Sequence, residues 1–549
     1  MAKAAPEPIA TNEQLEKEFK EYSVAEFFKR NRQMLGYSGK VRSLTTIVHE
    51  YVTNSLDSCE EAGILPEINV EIQNVEGGDH LKVIVEDNGT GVPKSKIGLA
   101  LGQLLAGTKF GQRAQKRGQQ GIGASYATLF AQITTGKATH FKTGTGDGSI
   151  FEGDMTIDVK TNAPKITDHK DLRGKFRGLH VEGEFSEVTY NRSEYSVYEY
   201  LRRTALANPH AQITLVEPNK EITVFPRASK EVPKKPPKVL PHPLGITTSD
   251  LIDMAHQTSA RKISSFLTGE FQRFSSDKLK EVQALIGNID LDRAPKNLQW
   301  PEAEALVKAF QQIKWIAPET SAMIPIGEEQ ITKSLKNLLK PEQLSVRERK
   351  PKVFRGGIPF LVEAAIAYGG EAGVTTNEGR KGELLRFANR TPLLFDAGND
   401  AISEAVKNID WNRYDLKDWE TQPVSIFVNF VSVYVPYTGA GKMSISPEED
   451  IVEEIRMALM EAARETSTYL HKLAHAAEQE ERRTIFLRYV DEVAEALNIM
   501  TGIPKTEIAE KLKKIAAERT AALEAKDAAM EEALEEVEEA AEAEIEEQD

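Results

Sequence analysis

The chain has one cysteine, Cys59, in 549 residues. An intramolecular disulfide is therefore excluded, and such usage fits a reducing compartment. No apolar run approaches the roughly 18–20 residues needed to span a bilayer. The N-terminus, Met1-Ala2-Lys3-Ala4-Ala5-Pro6, lacks a hydrophobic signal core. No membrane partner is expected, and the chain reads as cytoplasmic. A positive charge excess is missing too, since the net charge is −15. That figure misleads if taken whole. Residues 521–549 hold 13 acids and one base, so this tail alone contributes −12. The remainder leaves room for local basic patches, and overall acidity does not exclude a nucleic-acid partner. A chain of this length is too long for one core, and two to four domains are expected.

What is there begins with His49-Glu50-Tyr51-Val52-Thr53-Asn54-Ser55-Leu56-Asp57-Ser58-Cys59. Residues at i and i+4 of a helix stack on one face, so Glu50 and Asn54 look into the same space. Leu44, Ile47, Tyr51 and, less cleanly, Val48 form an apolar stripe that would anchor the helix to a sheet. Alone, an E-x-x-x-N pair is usually a solvated helix face.

The next segments add chemistry. Glu67-Ile68-Asn69-Val70-Glu71-Ile72 alternates as a half-buried strand does, and Leu81 to Glu86 is a second strand running into Asp87-Asn88-Gly89-Thr90-Gly91-Val92-Pro93. An Asp at a strand end before glycines that permit close backbone approach suits a ligand loop. Next come Gly107-Thr108-Lys109-Phe110-Gly111, a basic stretch (Arg113, Lys116, Arg117), and Gly118-Gln119-Gln120-Gly121-Ile122-Gly123-Ala124-Ser125. No strand immediately precedes this G-x-x-G-x-G, so it is not the dinucleotide fingerprint. Its backbone N–H groups can still converge on an anion, and a helix from about Ala124 would present its positive end.

These three elements, in this order, resemble the Bergerat-fold ATPases of the GHKL group over roughly residues 40–190. The resemblance implies ATP and Mg²⁺ as ligands. It implies that Glu50 is the general base activating water and that Asn54 holds Mg²⁺ against the phosphates. Asp87 would accept the adenine amino group, and Gly91 would let the backbone approach the base. Thr108, Lys109, Gly118, Gln119, Gln120, Gly121, Ile122, Gly123, Ala124 and Ser125 would form the lid around the phosphates. The family often closes its site with a Gly-Thr before a late strand. Here the counterpart is Arg177-Gly178-Leu179-His180, without the Thr, so no ligand is carried over and His180 is expected to be structural.

Residues 1–40 read as an N-terminal arm with a short Phe-rich helix (Phe19, Val24, Phe27, Phe28), and 41–228 as the ATPase domain. Residues 229–316 begin with a Pro/Lys-rich linker and continue as a small helical domain that resembles a helix–two-turn–helix module. Its helices are expected around 262–267, 276–285 and 301–316, with a Ser or Thr cap near Ser249. Residues 317–470 return to mixed α/β, with strands at Phe360–Tyr368, Glu383–Arg390 and Val424–Tyr434 and a crossover helix at Ala401–Lys407. The last strand leads into Val435-Pro436-Tyr437-Thr438-Gly439-Ala440-Gly441-Lys442. A Lys on such a loop can be presented as a point charge to a phosphate. Residues 471–549 read as C-terminal helices and an acidic tail.

This arrangement resembles the B subunits of type IIB DNA topoisomerases (topoisomerase VI) to about residue 500. The implied fold is α+β: a Bergerat (GHKL) ATPase sandwich, a helical helix–two-turn–helix insert, and an α/β transducer domain with long C-terminal helices. Lys442 matches the switch lysine that contacts the γ-phosphate from the transducer. The implied partners are the topoisomerase VI A subunit in a heterotetramer of two A and two B subunits, a second copy of this chain in an ATP-dependent homodimer, and double-stranded DNA. Lys234, Lys235 and Lys238 are candidate DNA-phosphate contacts. A histidine kinase would carry Asn in place of Glu50 and a separate phosphoacceptor helix. A MutL-like or chaperone-type ATPase would keep Glu50 and the lysine but has no ready counterpart to residues 246–315. A non-enzymatic scaffold would leave Glu50 or Asn54 dispensable.

Overall fold

A computed structural model of the chain describes residues 22–75, 80–106, 115, 117, 122–377, 379–439 and 442–515. They fall into two compact bodies, one ending at Arg464 and one from Glu465 onward.

The first body contains two sheets. The larger has eight strands: β1 (Glu67–Asn74), β2 (Leu81–Asp87), β3 (Thr139–Thr145), β4 (Ser149–Asp158), β5 (Ala163–Arg173), β6 (Arg177–Phe185), β7 (Gln212–Val216) and β8 (Ile222–Phe225). Their order is β5-β4-β3-β6-β2-β1-β7-β8, antiparallel throughout except where β1 lies parallel to β7. Alternation in β2 buries Leu81, Val83, Val85 and Asp87 on one face. That face is covered by the helices Lys40–Glu61, Gly123–Thr135 and Val197–Ala207, which share one core with it. The expected apolar stripe of the first helix is buried: Leu44, Ile47, Val48 and Tyr51, joined by Val52 and Leu56. Burial along such a stripe contributes about 0.8 kcal/mol per CH₂ removed from water, so tertiary packing holds this helix in place.

Four helices follow: Thr248–Gln257, Ile263–Glu270, Ser276–Leu285 and Trp300–Gln312. They enclose a separate core in which Phe266, Phe271, Phe274, Phe310 and Trp315 meet edge-on or tilted. The cap of the first is Thr247, a threonine near Ser249 as expected. Its hydroxyl accepts from Asp250 N while the Asp250 side chain accepts from Thr247 N, a reciprocal capping box.

The second sheet contains β9 (Gln343–Glu348), β10 (Lys352–Phe354), β11 (Ile358–Tyr368), β14 (Glu383–Ala388), β15 (Thr391–Pro392) and β16 (Val424–Ser432), with β12 (Val374–Thr376) and β13 (Gly379–Lys381) as a separate hairpin. β14 and β16 are parallel, and the expected crossover helix, Ala401–Lys407, lies between them in the chain. β14 stops two residues earlier than its apolar pattern suggests, because Asn389 and Arg390 both adopt left-handed backbone (φ 48° and 65°). After residue 448 the chain forms one continuous helix, Glu449–Thr501. At the other end, Val24–Arg30 is helical with Ser23 as its cap, and Phe27 is exposed on it. The expected arm up to residue 21, including Phe19, and the acidic tail from 516 lie outside the described residues.

Candidate functional site

Glu50 and Asn54 lie on the less buried side of the Lys40–Glu61 helix, Glu50 half-buried and Asn54 exposed. The Glu50 carboxylate faces the start of the Gly123–Thr135 helix. A Cβ built on Gly123 would stand 1.6 Å from Glu50 Oε2, so any side chain there would force the Glu50 carboxylate to move. The residue before this helix, Ile122, offers no side-chain cap. N–H groups at a helix N-terminus can bind an anion such as phosphate. Ala124 and Ser125 are buried in that first turn, and Ser125 Oγ donates to Ile122 O at 2.9 Å. Thr108, Lys109, Gly118, Gln119, Gln120 and Gly121 lie outside the described residues.

Asp87 ends β2 beneath the Lys40–Glu61 helix and is 5% exposed. Three donors hold its carboxylate: Ser55 Oγ at 2.7 Å on Oδ2, with Gly89 N at 2.9 Å and Leu179 N at 3.3 Å on Oδ1. Burial raises its carboxyl above the usual range, and these hydrogen bonds oppose the rise. Asn88 braces the loop. Its amide oxygen accepts from Glu67 N at 2.9 Å and its nitrogen donates to Leu65 O at 3.1 Å. Gly91 has φ +65°, and a Cβ there would stand 2.4 Å from Gly144 O, so the loop runs tight against β3.

Sequence reasoning missed several supporting residues. Thr143, buried on β3, accepts from Val92 N at 2.7 Å and donates to Val92 O at 3.0 Å, clamping the loop after Gly91. Ser55 is visible in the sequence one residue after Asn54, as a hydroxyl on a helix face. The Gly178 stretch needs no Thr to reach the site. Gly178 has φ +119°, and a Cβ there would stand 1.9 Å from Asp87 O, which brings Leu179 N onto the Asp87 carboxylate. His180 pairs its Nδ1 with Glu86 Oε2 at 2.9 Å, a cross-strand tie.

Lys442 comes from the second sheet's side. Its loop closes through Thr438 N to Ser444 O at 3.0 Å and a bridge between Tyr437 and Ile445. The backbone at Lys442 is left-handed (φ 53°). The next residue, Met443, is buried in the core of the larger sheet, with Leu394 and Phe395. This apolar anchor holds the Lys442 loop against the core of the larger sheet. Burial pushes the imidazole of His49, the neighbour of Glu50, below its usual pKa; the Glu50 charge opposes that, and the Lys442 charge adds to it. The Glu50 carboxylate thus stands against the start of the Gly123–Thr135 helix, Asp87 is seated by three donors, and the charge of Lys442, from the second sheet's side, reaches His49 beside Glu50.

Residues 39–170 match the family described as histidine kinase-, DNA gyrase B- and HSP90-like ATPase, which makes this a GHKL ATPase fold. Residues 318–482 match the family described as topoisomerase VI B subunit, transducer. The B subunit of type 2 DNA topoisomerase 6 from Thermococcus onnurineus is 46% identical, covering 94% of this chain and 98% of that protein. Its counterpart in Pyrococcus furiosus is 45% identical, covering 91% and 95%, and that of Methanothermobacter thermautotrophicus is 47% identical, covering 86% and 90%. The chain belongs to the family of type 2 DNA topoisomerase 6 B subunits. This membership decides for the topoisomerase reading over a MutL-like or chaperone-type ATPase.

Proposed function

We propose that Glu50, Asn54, Asp87, the 118–125 segment and Lys442 form the hydrolytic site of this ATP-dependent topoisomerase subunit. The observation that carries the reading is the Glu50 carboxylate set against Gly123 at an uncapped helix N-terminus. There it can accept a proton from a water attacking a phosphate held by the helix N–H groups. Asp87, with one lone-pair site left after three donors, accepts the adenine amino group. Asn54 supplies a single exposed amide oxygen. No group of three or more His, Cys, Asp or Glu side chains suited to a metal occurs among the described residues. One neutral oxygen ligand suits Mg²⁺, which keeps its waters and takes the rest of its shell from phosphates; bound there, Mg²⁺ would offset phosphate charge. Thr108 and Lys109 complete the lid. Lys442 contacts the terminal phosphate, and loss of that contact after hydrolysis biases a hinge between the ATPase domain (41–228) and the transducer (317–470).

In this reading two copies dimerise on ATP, enclose a DNA duplex and drive it through a break made by the A subunit, within a heterotetramer of two A and two B subunits. DNA contact is mainly with phosphates and salt-sensitive, with Lys234, Lys235 and Lys238 as candidates. No described helix is long and apolar enough to cross a membrane. Co-expression with the A subunit and an ATP-dependent decatenation assay tests the reading. Glu50→Ala should abolish hydrolysis and strand passage while nucleotide-driven dimerisation survives. Loss of ATP binding itself would contradict the base assignment.

A further inference from the structure

A buried ionic cluster lies at the far end of the Lys40–Glu61 helix from its N-terminus, and none of the residues assigned above to the hydrolytic site belongs to it. Arg117 immediately precedes Gly118 in the chain. Its guanidinium is buried and donates to Asp57 Oδ1 at 2.9 Å, to both oxygens of Glu60 at 2.7 and 2.9 Å, and to Asn208 Oδ1 at 2.5 Å. Glu60 also accepts from the buried His210 Nε2 at 2.8 Å. Burial alone would raise the Glu60 carboxyl; Arg117, with help from His210, holds it well below the usual range. Two residues upstream, the buried Gln115 makes a two-way bond with the backbone of Ile324, donating to its O at 2.9 Å and accepting from its N.

The cluster continues into the second sheet. Arg390 donates to Ile324 O and Pro325 O at 3.1 Å each, and its Nη1 lies 3.9 Å from Glu60 Oε2. Its backbone is left-handed, costly for a residue with a Cβ, and is kept so by Arg390 N donating to Asn429 Oδ1 at 3.1 Å. Asn208 closes the circuit by donating to Arg390 O at 3.1 Å.

We propose that Glu60, Arg117, Arg390 and Gln115 are positioning residues for ATP hydrolysis: a second link, separate from Lys442, that ties the segment leading into the phosphate loop to the transducer sheet. The proposal rests on the reading that residues 118–125 grip the phosphates. The link joins three parts that must act together, namely the helix bearing Glu50 and Asn54, the approach to the glycine segment, and the turn between β14 and β15. Removing one partner of a buried ion pair is strongly destabilising, so motion of the transducer turn is resisted until the pairs rearrange together. The Glu60–Arg390 contact is the loosest, close enough for attraction and too long for a hydrogen bond. A small shift of the β14–β15 turn would close or open it.

The test uses the full chain with Gln115→Ala and Glu60→Gln, each alone and combined with Lys442→Ala. Readouts are KM and kcat for ATP, melting temperature, and hydrogen exchange at 322–327 with and without a non-hydrolysable ATP analogue. We expect KM to rise about tenfold, a ~1.4 kcal/mol effect, with kcat changed less. The analogue should alter exchange at 322–327 in wild type but not in Gln115→Ala at saturating analogue. The fold-changes should multiply with those of Lys442→Ala, as independent links require. Should Glu60→Gln fail to fold, Gln115→Ala, which removes no charge, carries the test. Variants with a lowered melting temperature but wild-type KM and an intact exchange response would overturn the proposal and leave the cluster purely structural. Wild-type protein that shows no exchange response and no Glu50 dependence of turnover would instead overturn the underlying site reading.

Discussion

The Glu50 carboxylate occupies the space that a side chain at Gly123 would need, with Oε2 1.6 Å and Cδ 2.1 Å from where a Cβ would stand. Glu50 sits on a helix pinned by Ile47, Val48, Tyr51 and Val52, so the backbone cannot easily yield and the side chain must rotate. Gly123→Ala should therefore displace the base while sparing the purine end of the site. Misplacement by about 1 Å can cost on the order of 10²-fold in rate. Steady-state hydrolysis should show kcat down roughly 10- to 100-fold with nucleotide binding retained. Unchanged turnover would mean that this contact does not orient the base.

Asp87 gives a second prediction, on selectivity. Three donors already face its two oxygens, and an Asn there has a single oxygen to satisfy Gly89 N and Leu179 N. Its NH₂ would then point toward Ser55, whose hydroxyl can turn to accept, and toward the incoming adenine amino group, donor against donor. Hydrogen bonds to charged groups are worth about 1.5–3 kcal/mol, so Asp87→Asn should weaken ATP binding roughly 10- to 100-fold. Calorimetric titration with ATP and ITP checks this: wild type should favour ATP, and the variant should lose the preference. Undiminished discrimination would reassign the base-reading group.

Lys442→Ala should uncouple the two sheets. Met443 remains to anchor the loop in the larger core, so the variant should fold and bind nucleotide. Loss of one charge-assisted contact to a phosphate lowers turnover by about 10- to 100-fold. Wild-type ATPase activity in Lys442→Ala would remove this lysine from the mechanism.

How much of this is legible in the sequence divides along local and non-local lines. The helix bearing Glu50, the β1–β2 pair, the long β16 strand and the crossover helix are carried by periodicity alone, because each buries one face or both. Asp87 and the glycines are visible as a strand end followed by residues that permit close approach. The supports are not. Thr143 and Leu179 N act across 51 and 92 residues of chain, and Met443 joins a core built almost wholly from the first 225 residues. Nothing in a Thr within an alternating strand marks it as a clamp. The end of β14 is hidden for a related reason. Asn389 is held in left-handed backbone by side-chain bonds with Ser432 on a neighbouring strand, donating to its O at 2.9 Å and accepting from its N at 3.0 Å.

Cys59 offers a test of the adenine loop's packing. Its thiol is buried and donates to Asn88 Oδ1 at 3.3 Å. Burial, with the charges of Asp87 and Glu60 adding to it, pushes the thiol up to about 12. The thiolate is the reactive form, so the native protein should resist a thiol reagent at about pH 8 and react fully once unfolded. Rapid native labelling would show that the Asp87–Asn88 loop opens readily.

Glu348 sets a pH dependence of stability. It faces Glu363 across the β9–β11 pair, and its own N–H donates to Glu328 Oε1 at 2.8 Å. Partial burial, then the Glu363 and Glu328 charges, raise its carboxyl from 4.5 to about 7. A raised folded value means the native state holds the proton more tightly than the unfolded chain does. The stabilisation is complete below 4.5 and is lost as pH rises through about 7. The residue is only partly withdrawn from solvent, so screening keeps the effect modest. Glu348→Gln removes the titration while keeping the shape. From about pH 5 to about pH 8 the melting temperature should fall more for wild type than for Glu348→Gln, with the variant the more stable at the higher pH. Equal falls in both proteins would show that this carboxyl titrates normally and that the three glutamates do not crowd one another in solution.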